Sequence, residues 1–467
     1  MKDNCKISTP EYIVEKMLDI AGYTYDLDGK RVLENSCGDG NILSVIVKRY
    51  ICDGISRGLS LEKIHIGLQN DIWATEVDPL RALQCKNKLD DIARRHGLYN
   101  INWNIETNDS LTKAYDFKFR FVIGNPPYIS YWKLKESVRS YVKNTFSVCK
   151  QGSFDYCYAF IESGIKHLEE QGKMVYLIPN SIFKVKFGRT LRELLLKDLS
   201  HIIDYTTKKI FDEALTSSAI IKIDKGNNRN TIKYHDVVSN KVLIINKKSL
   251  DNNKWTFESI SKAEKVFGDY FHVATSIATQ KNDVFVLSEF DDCEEYIESD
   301  HYKIEKKILR KAYSPRNRHI NKTEYIIFPY YFLQGQLMRY SEDELEKLFP
   351  YCYIYLKNKK DVLLKRDSDK NAAWYEFGRS QALAHLNQEK LMLSTVITKS
   401  VKVYQLAQDE IPYSGIYITA KSNMDLTEAH TILESHDFFS YIKKVGINAS
   451  GDSIRISCRD VSDYTFV

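Results

Sequence analysis

The chain carries the stretch VLENSCGDGN at residues 32–41, where an apolar run is followed by two glycines and then by a segment of helical periodicity. Gly38 and Gly40 remove the side chains that would keep the backbone away from a nucleoside-like ligand. A strand, a glycine turn and a helix in this order are typical of α/β folds that hold such a cofactor. A glycine pair also occurs in plain tight turns, so the interpretation depends on the sequence around it.

The surrounding sequence continues the same rhythm. Between about residues 10 and 225, short apolar runs alternate with amphipathic stretches, which is the pattern of a parallel α/β sheet. Helices are predicted to open at Thr9-Pro10 and at Asp78-Pro79, and residues 51–71 contain an inserted helix. Seven strands are predicted, at residues 31–34, 72–77, 102–107, 119–124, 173–178, 201–205 and 219–224.

The α/β rhythm stops in the middle of the chain. Residues 225–228 predict a hairpin turn into a strand at 231–238, which would close the sheet with an antiparallel edge. A polar stretch at 246–254 marks the predicted domain boundary, so that residues 1–245 form the first domain and 246–467 a mixed α+β second domain.

Composition excludes several protein classes. Of the 467 residues, 43% are hydrophobic and 28% charged, and no apolar run approaches the roughly 20 residues of a membrane helix. The N-terminus has no secretory pattern, so we expect a cytoplasmic protein. Nine cysteines without a CxxC pair argue against a zinc ribbon or a disulfide framework. The formal net charge of +5 permits a polyanionic partner without requiring one.

Two acidic residues are candidates for cofactor binding. Glu76 ends the second predicted strand, where such folds accept hydrogen bonds from two ribose hydroxyls. The interval from the glycine turn to this acid is longer than usual, and the inserted helix accounts for the excess. Asp78 is predicted to cap the next helix. Asp109, which follows the third strand, is predicted to accept a hydrogen bond from the amino group of the cofactor's adenine.

The strongest chemical signal is the turn Asn125-Pro126-Pro127-Tyr128 after the fourth strand. The amine of an aromatic base is a poor nucleophile because its lone pair is delocalised into the ring. Two fixed acceptors, the Asn125 amide oxygen and the Pro126 carbonyl, can localise that lone pair and favour the positive charge that develops on nitrogen. The prolines lock the turn, and Tyr128 is predicted to stack on the base.

The order of these elements resembles the gamma class of amino-methyltransferases, the TaqI-type DNA adenine methyltransferases of restriction-modification systems. Thr9-Pro10 matches a pair that holds the methionine part of S-adenosylmethionine, and Glu34, Gly38 and Gly40 match the family's E-x-x-x-G-x-G, with Asn35 in place of a frequent proline. Residues 154–160 resemble the aromatic helix start after the catalytic turn, and residues 172–179 resemble a further family motif. Phe211 matches an aromatic that stacks on the target base.

The resemblance implies a Rossmann-like, seven-stranded class I methyltransferase sheet followed by a DNA-recognition domain. It implies methyl transfer from S-adenosylmethionine to the N6 amine of adenine in double-stranded DNA, by base flipping and direct displacement and without a metal. Tyr128 and Phe211 would hold the flipped base. We expect a monomer, and an endonuclease encoded separately is a candidate partner because the core starts within the first ten residues.

The second half carries segments in which basic residues lie near aromatic residues. Arginine and lysine in such settings can contact phosphates and base edges, but the pattern names no base-reading residue. These segments are residues 278–285, 329–331 with 339–340, and 374–375 with 379–381.

Three alternatives stay open. A protein glutamine N5-methyltransferase uses the same turn for a planar amide, although such enzymes are usually shorter. N4-cytosine methylation involves similar chemistry, but it more often goes with Ser or Asp in place of Asn125. A non-enzymatic DNA-binding subunit is the third alternative, and the intact turn argues against it.

Overall fold

Strand β1 (Val32–Glu34) pairs in parallel with β2 (Ile72–Glu76) on one side and with β4 (Phe119–Gly124) on the other in the computed structural model. The structure describes residues 8–206, 210, 217–250, 254–258, 263–421, 424–449 and 451–467. The chain therefore runs outward from β1 to β2 and β3 (Asn104–Thr107), and then returns to the other side of β1 with β4.

The sheet has nine strands in the order β3-β2-β1-β4-β5-β7-β6-β8-β9. Its second half is formed by β5 (Leu168–Pro179), β6 (Leu199–Asp204), β7 (Ser218–Asp224), β8 (Thr231–Asp236) and β9 (Lys241–Asn246). β7 runs antiparallel to both β5 and β6. The predicted class I methyltransferase sheet is confirmed, with two further strands at one edge.

Helices cover both faces of this sheet. Along β5, Val175 and Leu177 enter one core while Met174, Tyr176 and Ile178 enter the other, as the period of two in a strand requires. The helices are α1 (Glu11–Ala21), α2 (Asn41–Ser56), α3 (Leu61–Asp71), α4 (Pro79–Arg94), α5 (Glu136–Thr145), α6 (Cys157–His167) and α7 (Arg189–Asp198).

The local signals for helix starts hold with one small difference. α4 begins at Pro79, and the Asp78 carboxylate accepts from the Leu80 amide at 2.9 Å, so the predicted cap is confirmed. α1 begins at Glu11, one residue after Pro10, which is its N-cap. α3 is the inserted helix, capped by the Ser60 hydroxyl.

The predicted pairing of residues 231–238 is wrong. β8 does not form a hairpin with β7; it lies parallel to β6, with His201 opposite Lys233. The physical reason is that β5 and β6 already occupy both edges of β7, which leaves no backbone groups there for a further partner. The antiparallel edge is β9, which pairs with β8.

The first compact unit extends to Glu258, and residues 447–452 group with it. The segment after β9 packs on this unit through Trp255, whose buried ring stacks on Phe183 at 5.8 Å and whose amide donates to the Phe183 carbonyl at 2.8 Å. The packing boundary therefore lies after Glu258, beyond the polar stretch from which residue 245 was predicted.

The second unit contains the remaining residues to Val467 and has its own cores. It is mixed α+β, as predicted, and contains several small sheets. Its strands are β10 (Lys265–Val266), β11 (Phe271–Thr275), β12 (Val286–Leu287), β13 (Asp291–Asp292), β14 (Tyr296–Ser299), β15 (Tyr302–Glu305), β16 (Leu309–Tyr313), β17 (Glu324–Ile327), β18 (Tyr330–Leu333), β19 (Gln336–Arg339), β20 (Lys390–Leu393), β21 (Val396–Ile397), β22 (Val403–Leu406), β23 (Ile411–Pro412), β24 (Ile416–Ala420), β26 (Ile454–Arg455) and β27 (Thr465–Phe466). β25 (Ile447–Asn448) groups with the first unit.

The helices of the second unit are short. They are α8 (Phe267–Tyr270), α9 (Asn282–Phe285), α10 (Pro315–His319), α11 (Glu342–Leu348), α12 (Pro350–Asn358), α13 (Lys360–Leu364), α14 (Leu426–Glu434), α15 (His436–Val445) and α16 (Cys458–Ser462). Across the described part of the chain, no helix has both the length and the apolar character that crossing a membrane requires.

Trp255→Ala tests whether residues 254–258 are part of the first unit. Because the ring is fully buried against Phe183, we expect the free energy of unfolding of this unit to fall by about 3–5 kcal/mol. The measurement is hydrogen exchange of peptides from β5 and β7 in increasing urea. Tyr25→Ala, which truncates a ring that is 68% exposed, is the control and should stay within about 0.5 kcal/mol of wild type. A similar small change for Trp255→Ala would contradict the assignment.

Candidate active site

The polar residues predicted to form the site follow strands that end at one edge of the sheet. Glu34 ends β1, Glu76 ends β2, Asp109 lies in the loop after β3, and Asn125 directly follows β4. These four strands are parallel, so their carboxyl ends share this edge. The strand order reverses between β1 and β4, and open α/β sheets bind ligands at the carboxyl edge of such a point.

The glycine turn after β1 has backbone angles that favour glycine. Gly38 has φ +56° and Gly40 has φ +87°, both in the left-handed region. A Cβ at residue 40 would lie 2.6 Å from the Cys85 sulfur and 3.2 Å from the Cys85 Cα, so α4 packs directly on this turn. Gly40 also caps α2, and the α2 N-terminus therefore opens at the carboxyl edge.

Glu76 holds the glycine turn from the neighbouring strand. Its Oε2 accepts from the Gly38 amide at 2.8 Å, and its Oε1 accepts from the Asp78 amide at 3.0 Å. Each carboxylate oxygen has a second lone pair, so Glu76 keeps acceptor capacity for a ligand. The structure thus gives Glu76 a role that the sequence analysis missed, while its predicted contact with a ribose stays a prediction.

Glu34 is a buried acidic residue whose carboxyl group is only partly hydrogen-bonded. Its side chain is 2% exposed, and its Oε2 has no hydrogen-bond partner among the described residues. Burial raises the pKa of Glu34 well above its usual range, and the Cys37 thiol and the Glu76 carboxylate raise it further. A cation or a hydrogen-bond donor on a bound ligand would stabilise a buried carboxyl in this setting.

Asn125 is held on two sides, and one of its atoms has no partner. Its Nδ2 donates to Thr9 Oγ1 at 3.2 Å, and its carbonyl accepts from the Ser36 hydroxyl at 3.3 Å. Its Oδ1 is buried and has no hydrogen-bond partner in the described part of the chain. Leaving such an oxygen unpaired costs about 1–3 kcal/mol. The turn therefore presents a positioned acceptor that a bound amine or amide can satisfy.

Tyr128 lies at the end of the same turn, half-buried against the core that contains α6. Burial raises the pKa of its hydroxyl well above the usual range, and the Cys157 thiol and the Asp155 carboxyl act in the same direction. Both effects favour the neutral phenol over the phenolate. Pro126 is buried and Pro127 is half-buried, so both prolines are part of the packed turn.

The aromatic helix start predicted at residues 154–160 packs against the chain just after the turn from Asn125 to Tyr128. The Tyr156 amide donates to the Ile129 carbonyl at 2.9 Å, and the Tyr131 amide donates to the Phe154 carbonyl at 3.1 Å. Ser130 and Asp155 form an antiparallel bridge between the two segments. This pairing fixes where the chain goes after Tyr128.

Asp109 also lies beside this helix start. Its Oδ1 accepts from the Leu111 amide at 3.0 Å. Burial raises the pKa of Tyr156, and the nearby Asp109 carboxylate raises it further. The predicted hydrogen bond from the amino group of the cofactor's adenine to Asp109 stays a prediction. Phe211, predicted to stack on the target base, lies outside the described residues.

A buried hydrogen bond that no sequence pattern predicted joins Asn35, directly after β1, to Tyr176 on β5. The Tyr176 hydroxyl donates to Asn35 Oδ1 at 2.6 Å, and Asn35 is 3% exposed. The Asn35 Nδ2 has no partner among the described residues. A proline, the residue frequent at this position in the family, would offer Tyr176 no side-chain acceptor. Because the two residues are far apart in the chain, no local pattern could have paired them.

The basic and aromatic segments of the second unit are joined by several contacts, and both of their arginines are already paired. Ala278 and Arg379 form an antiparallel bridge. Arg379 pairs with Asp367 at 2.7 Å and with Asp369 at 3.0 Å, and Arg339 pairs with Glu376 at 2.9 Å. In addition, Arg366 donates to the carbonyls of Thr279, Trp374 and Glu376. These contacts give the arginines a structural role within the unit.

Comparison with known families agrees with this geometry. Residues 44–211 match the family described as Eco57I restriction-modification methylase. This range contains Glu76, Asp109 and the turn from Asn125 to Tyr128. The predicted resemblance to restriction-modification methyltransferases is thus confirmed.

Two curated proteins and one solved structure show the extent of the similarity. The type II restriction enzyme and methyltransferase RM.Eco57I of Escherichia coli is 24% identical over 67% of this chain, which spans 35% of that protein. The type II methyltransferase M.BstVI of Geobacillus stearothermophilus is 27% identical over 57% of this chain and 50% of its own length. The chain thus spans half or less of these two relatives.

The type IIL restriction-modification enzyme MmeI, solved in complex with DNA, is similar with a TM-score of 0.63 and 14% identity. The alignment covers 97% of this chain and 64% of that one. At this identity the likeness shows a shared fold alone.

Gly40→Ala tests the close packing of the glycine turn. Gly29→Ala is the matched control, since Gly29 has φ +77° but open space around its Cα. Both variants carry the strain of a left-handed alanine, about 1–2 kcal/mol, whereas only the Gly40 variant also pushes against Cys85. We expect Gly40→Ala to lower the stability of the first unit by at least about 1 kcal/mol more than Gly29→Ala in urea titrations. Equal losses would show that α4 does not pack on the turn as described.

A double-mutant cycle tests the Asn35–Tyr176 pair. Asn35→Ala leaves the Tyr176 hydroxyl buried without its acceptor, which costs about 1–3 kcal/mol. In the double variant with Tyr176→Phe no hydroxyl remains, so the combined loss of stability should be smaller than the sum of the single losses by about 1 kcal/mol. Thermal and urea unfolding of the four proteins measure this coupling. Strict additivity would mean that the bond does not form in solution.

Proposed function

We propose, because residues 44–211 match the Eco57I restriction-modification methylase family, that this chain is a DNA methyltransferase that uses S-adenosylmethionine and modifies the N6 amine of adenine. The observation that carries the proposal is the Asn125 amide oxygen, buried, unpaired and held in place at the carboxyl edge of the sheet. The glycine turn after β1 supports a cofactor site next to it.

The residues of this edge fit S-adenosylmethionine. That ligand carries a sulfonium and an ammonium group, and the buried Glu34 carboxyl without a partner on Oε2 suits a cationic neighbour. Glu76 retains lone pairs for ribose hydroxyls, and Asp109 is available to an adenine amine. The residues proposed to hold the cofactor are Thr9, Glu34, Gly38, Gly40, Glu76 and Asp109. When bound, S-adenosylmethionine supplies an electrophilic methyl group.

The catalytic turn acts on the other reactant. Asn125 Oδ1 and the Pro126 carbonyl accept the two N–H bonds of the target amine and draw them out of the plane of the base. This localises the nitrogen lone pair, and the acceptors stabilise the positive charge that builds up as the amine reacts. Thr9 and Ser36 keep Asn125 in one orientation, so little reorganisation is needed during the reaction.

The target base must leave the DNA helix to reach this turn. We propose that the adenine is flipped out and that the ring of Tyr128 stacks on it. Phe211 is the proposed partner on the other face of the base. Double-stranded DNA is therefore the proposed substrate, and residues 246–467 are proposed to contribute its recognition.

Asn125→Ala is the central test. Removing the amide should lower kcat for methyl transfer to DNA by about 100-fold or more, since loss of one group that stabilises developing charge has an effect of that size. Binding of S-adenosylmethionine, measured by equilibrium dialysis, should change by less than about threefold, because the proposed cofactor residues remain. The control is Asn144→Ala, which truncates an exposed asparagine on α5 and should leave both quantities unchanged. Substantial turnover by Asn125→Ala would contradict the mechanism.

Product analysis separates the remaining alternatives. Labelled S-adenosylmethionine is incubated with unmethylated plasmid DNA, with RNA and with release-factor protein, and nucleosides from the DNA are identified by mass spectrometry. N6-methyladenine supports the proposal, whereas N4-methylcytosine would change the target base and labelled glutamine would change the substrate class. Absence of transfer to any of the three by the wild-type chain would overturn the enzymatic function.

A further inference from the structure

A tryptophan stands almost fully exposed just after the catalytic turn. Trp132 lies in the short 3-10 turn Tyr131–Lys133, and 76% of its surface is accessible to solvent. Large aromatic side chains usually bury most of their surface because exposing them to water is unfavourable. The exposed ring lies close in the chain to the residues of the proposed chemistry. It is therefore a candidate contact for a bound ligand.

The Trp132 ring also packs against Tyr131, which is itself held by further contacts. It contacts Tyr131 edge-on, with 5.0 Å between the centroids, and Tyr131 contacts the buried Phe154 at 5.3 Å. Lys143 donates to the Tyr131 hydroxyl at 3.0 Å, and the Arg139 guanidinium lies 5.1 Å from the Tyr131 ring centre. This support restricts the motion of Trp132, so a partner that stacks on it loses little additional freedom.

The charge around the ring selects the class of partner. Between residues 131 and 143 there are four cationic side chains and one carboxylate, although the whole chain carries a formal charge of only +5. Lys133 and Lys135 are exposed and follow Trp132 closely in the chain, and no ion pair in the described part of the chain involves either of them. A flat exposed ring near unpaired cations matches a polymer of stacked bases and phosphates.

We infer that Trp132 stacks on a base of the DNA next to the target adenine, while Lys133 and Lys135 contact the adjacent phosphates. The inference rests on the proposed function, which brings DNA to the turn that ends at Tyr128. Removing a base from the helix leaves its neighbours without a stacking partner, and an aromatic side chain can take that place. Stacking of this kind contributes about 1–3 kcal/mol per base.

The first test compares Trp132→Ala, Trp132→Phe and the control Tyr99→Ala, whose ring is 60% exposed in the loop after α4. Methyl transfer from labelled S-adenosylmethionine to unmethylated plasmid DNA gives kcat and KM for each variant. We expect kcat/KM for DNA to fall about tenfold or more in Trp132→Ala and by no more than about threefold in Trp132→Phe. Tyr99→Ala should behave as wild type.

A second test does not depend on turnover. Plasmid DNA is titrated into the wild type and into Trp132→Phe while tryptophan fluorescence is recorded, and most of the quenching seen in the wild type should be absent from the variant. In parallel, Lys133→Ala with Lys135→Ala should weaken DNA binding and reduce its dependence on salt concentration, because fewer phosphate contacts remain.

The outcomes separate this inference from the proposed function. If the wild type methylates DNA, but Trp132→Ala matches Tyr99→Ala in kinetics and Trp132→Phe keeps the full quenching, the stacking role is overturned and the proposed function stands. If the wild type transfers methyl groups only to protein or RNA, both proposals fail together.

Discussion

The parallel pairing of β1 with β4 is the constraint on which the site depends. The two strands share only a short register, with Val32 opposite Phe121 and Leu33 opposite Val122. Val32 and Leu33 enter cores on opposite faces of the sheet, so a slip of one residue would turn each side chain to the wrong face. Burial on both faces therefore fixes the register. The register in turn brings Ser36 within hydrogen-bond distance of Asn125.

At this edge the chain leaves several polar atoms unsatisfied. Glu34 Oε2, Asn35 Nδ2 and Asn125 Oδ1 are all buried without partners in the described part of the chain. Each such atom lowers the stability of the fold, and a folded chain tolerates several only where the surrounding sheet and helices hold them. Their clustering beside the glycine turn is what a binding site requires, because a ligand that satisfies these atoms also stabilises the protein.

Local patterns predicted the parts of the fold and site that depend on local chemistry. The strands, the cap at Asp78 and the turn from Asn125 follow from apolar periodicity, helix capping and proline geometry. Strand order is not a local property, and so β8 was assigned to the wrong neighbour. The Asn35–Tyr176 bond was missed for the same reason. Exposure of Trp132 also depends on tertiary structure, since a sequence does not show which aromatics remain uncovered.

The distribution of paired and unpaired cations leads to a different interpretation of the basic residues. The sequence analysis singled out Arg339 and Arg379 near aromatic residues of the second unit, but both already pair with carboxylates. Nearby, Arg366 donates to four backbone carbonyls. A paired arginine must give up its partner before it can bind a phosphate, which reduces the net gain. Exposed lysines without a partner, such as Lys133 and Lys135, lose only hydration. Pairing state, more than proximity to aromatic residues, therefore indicates which cations in the described chain are available to a polyanion.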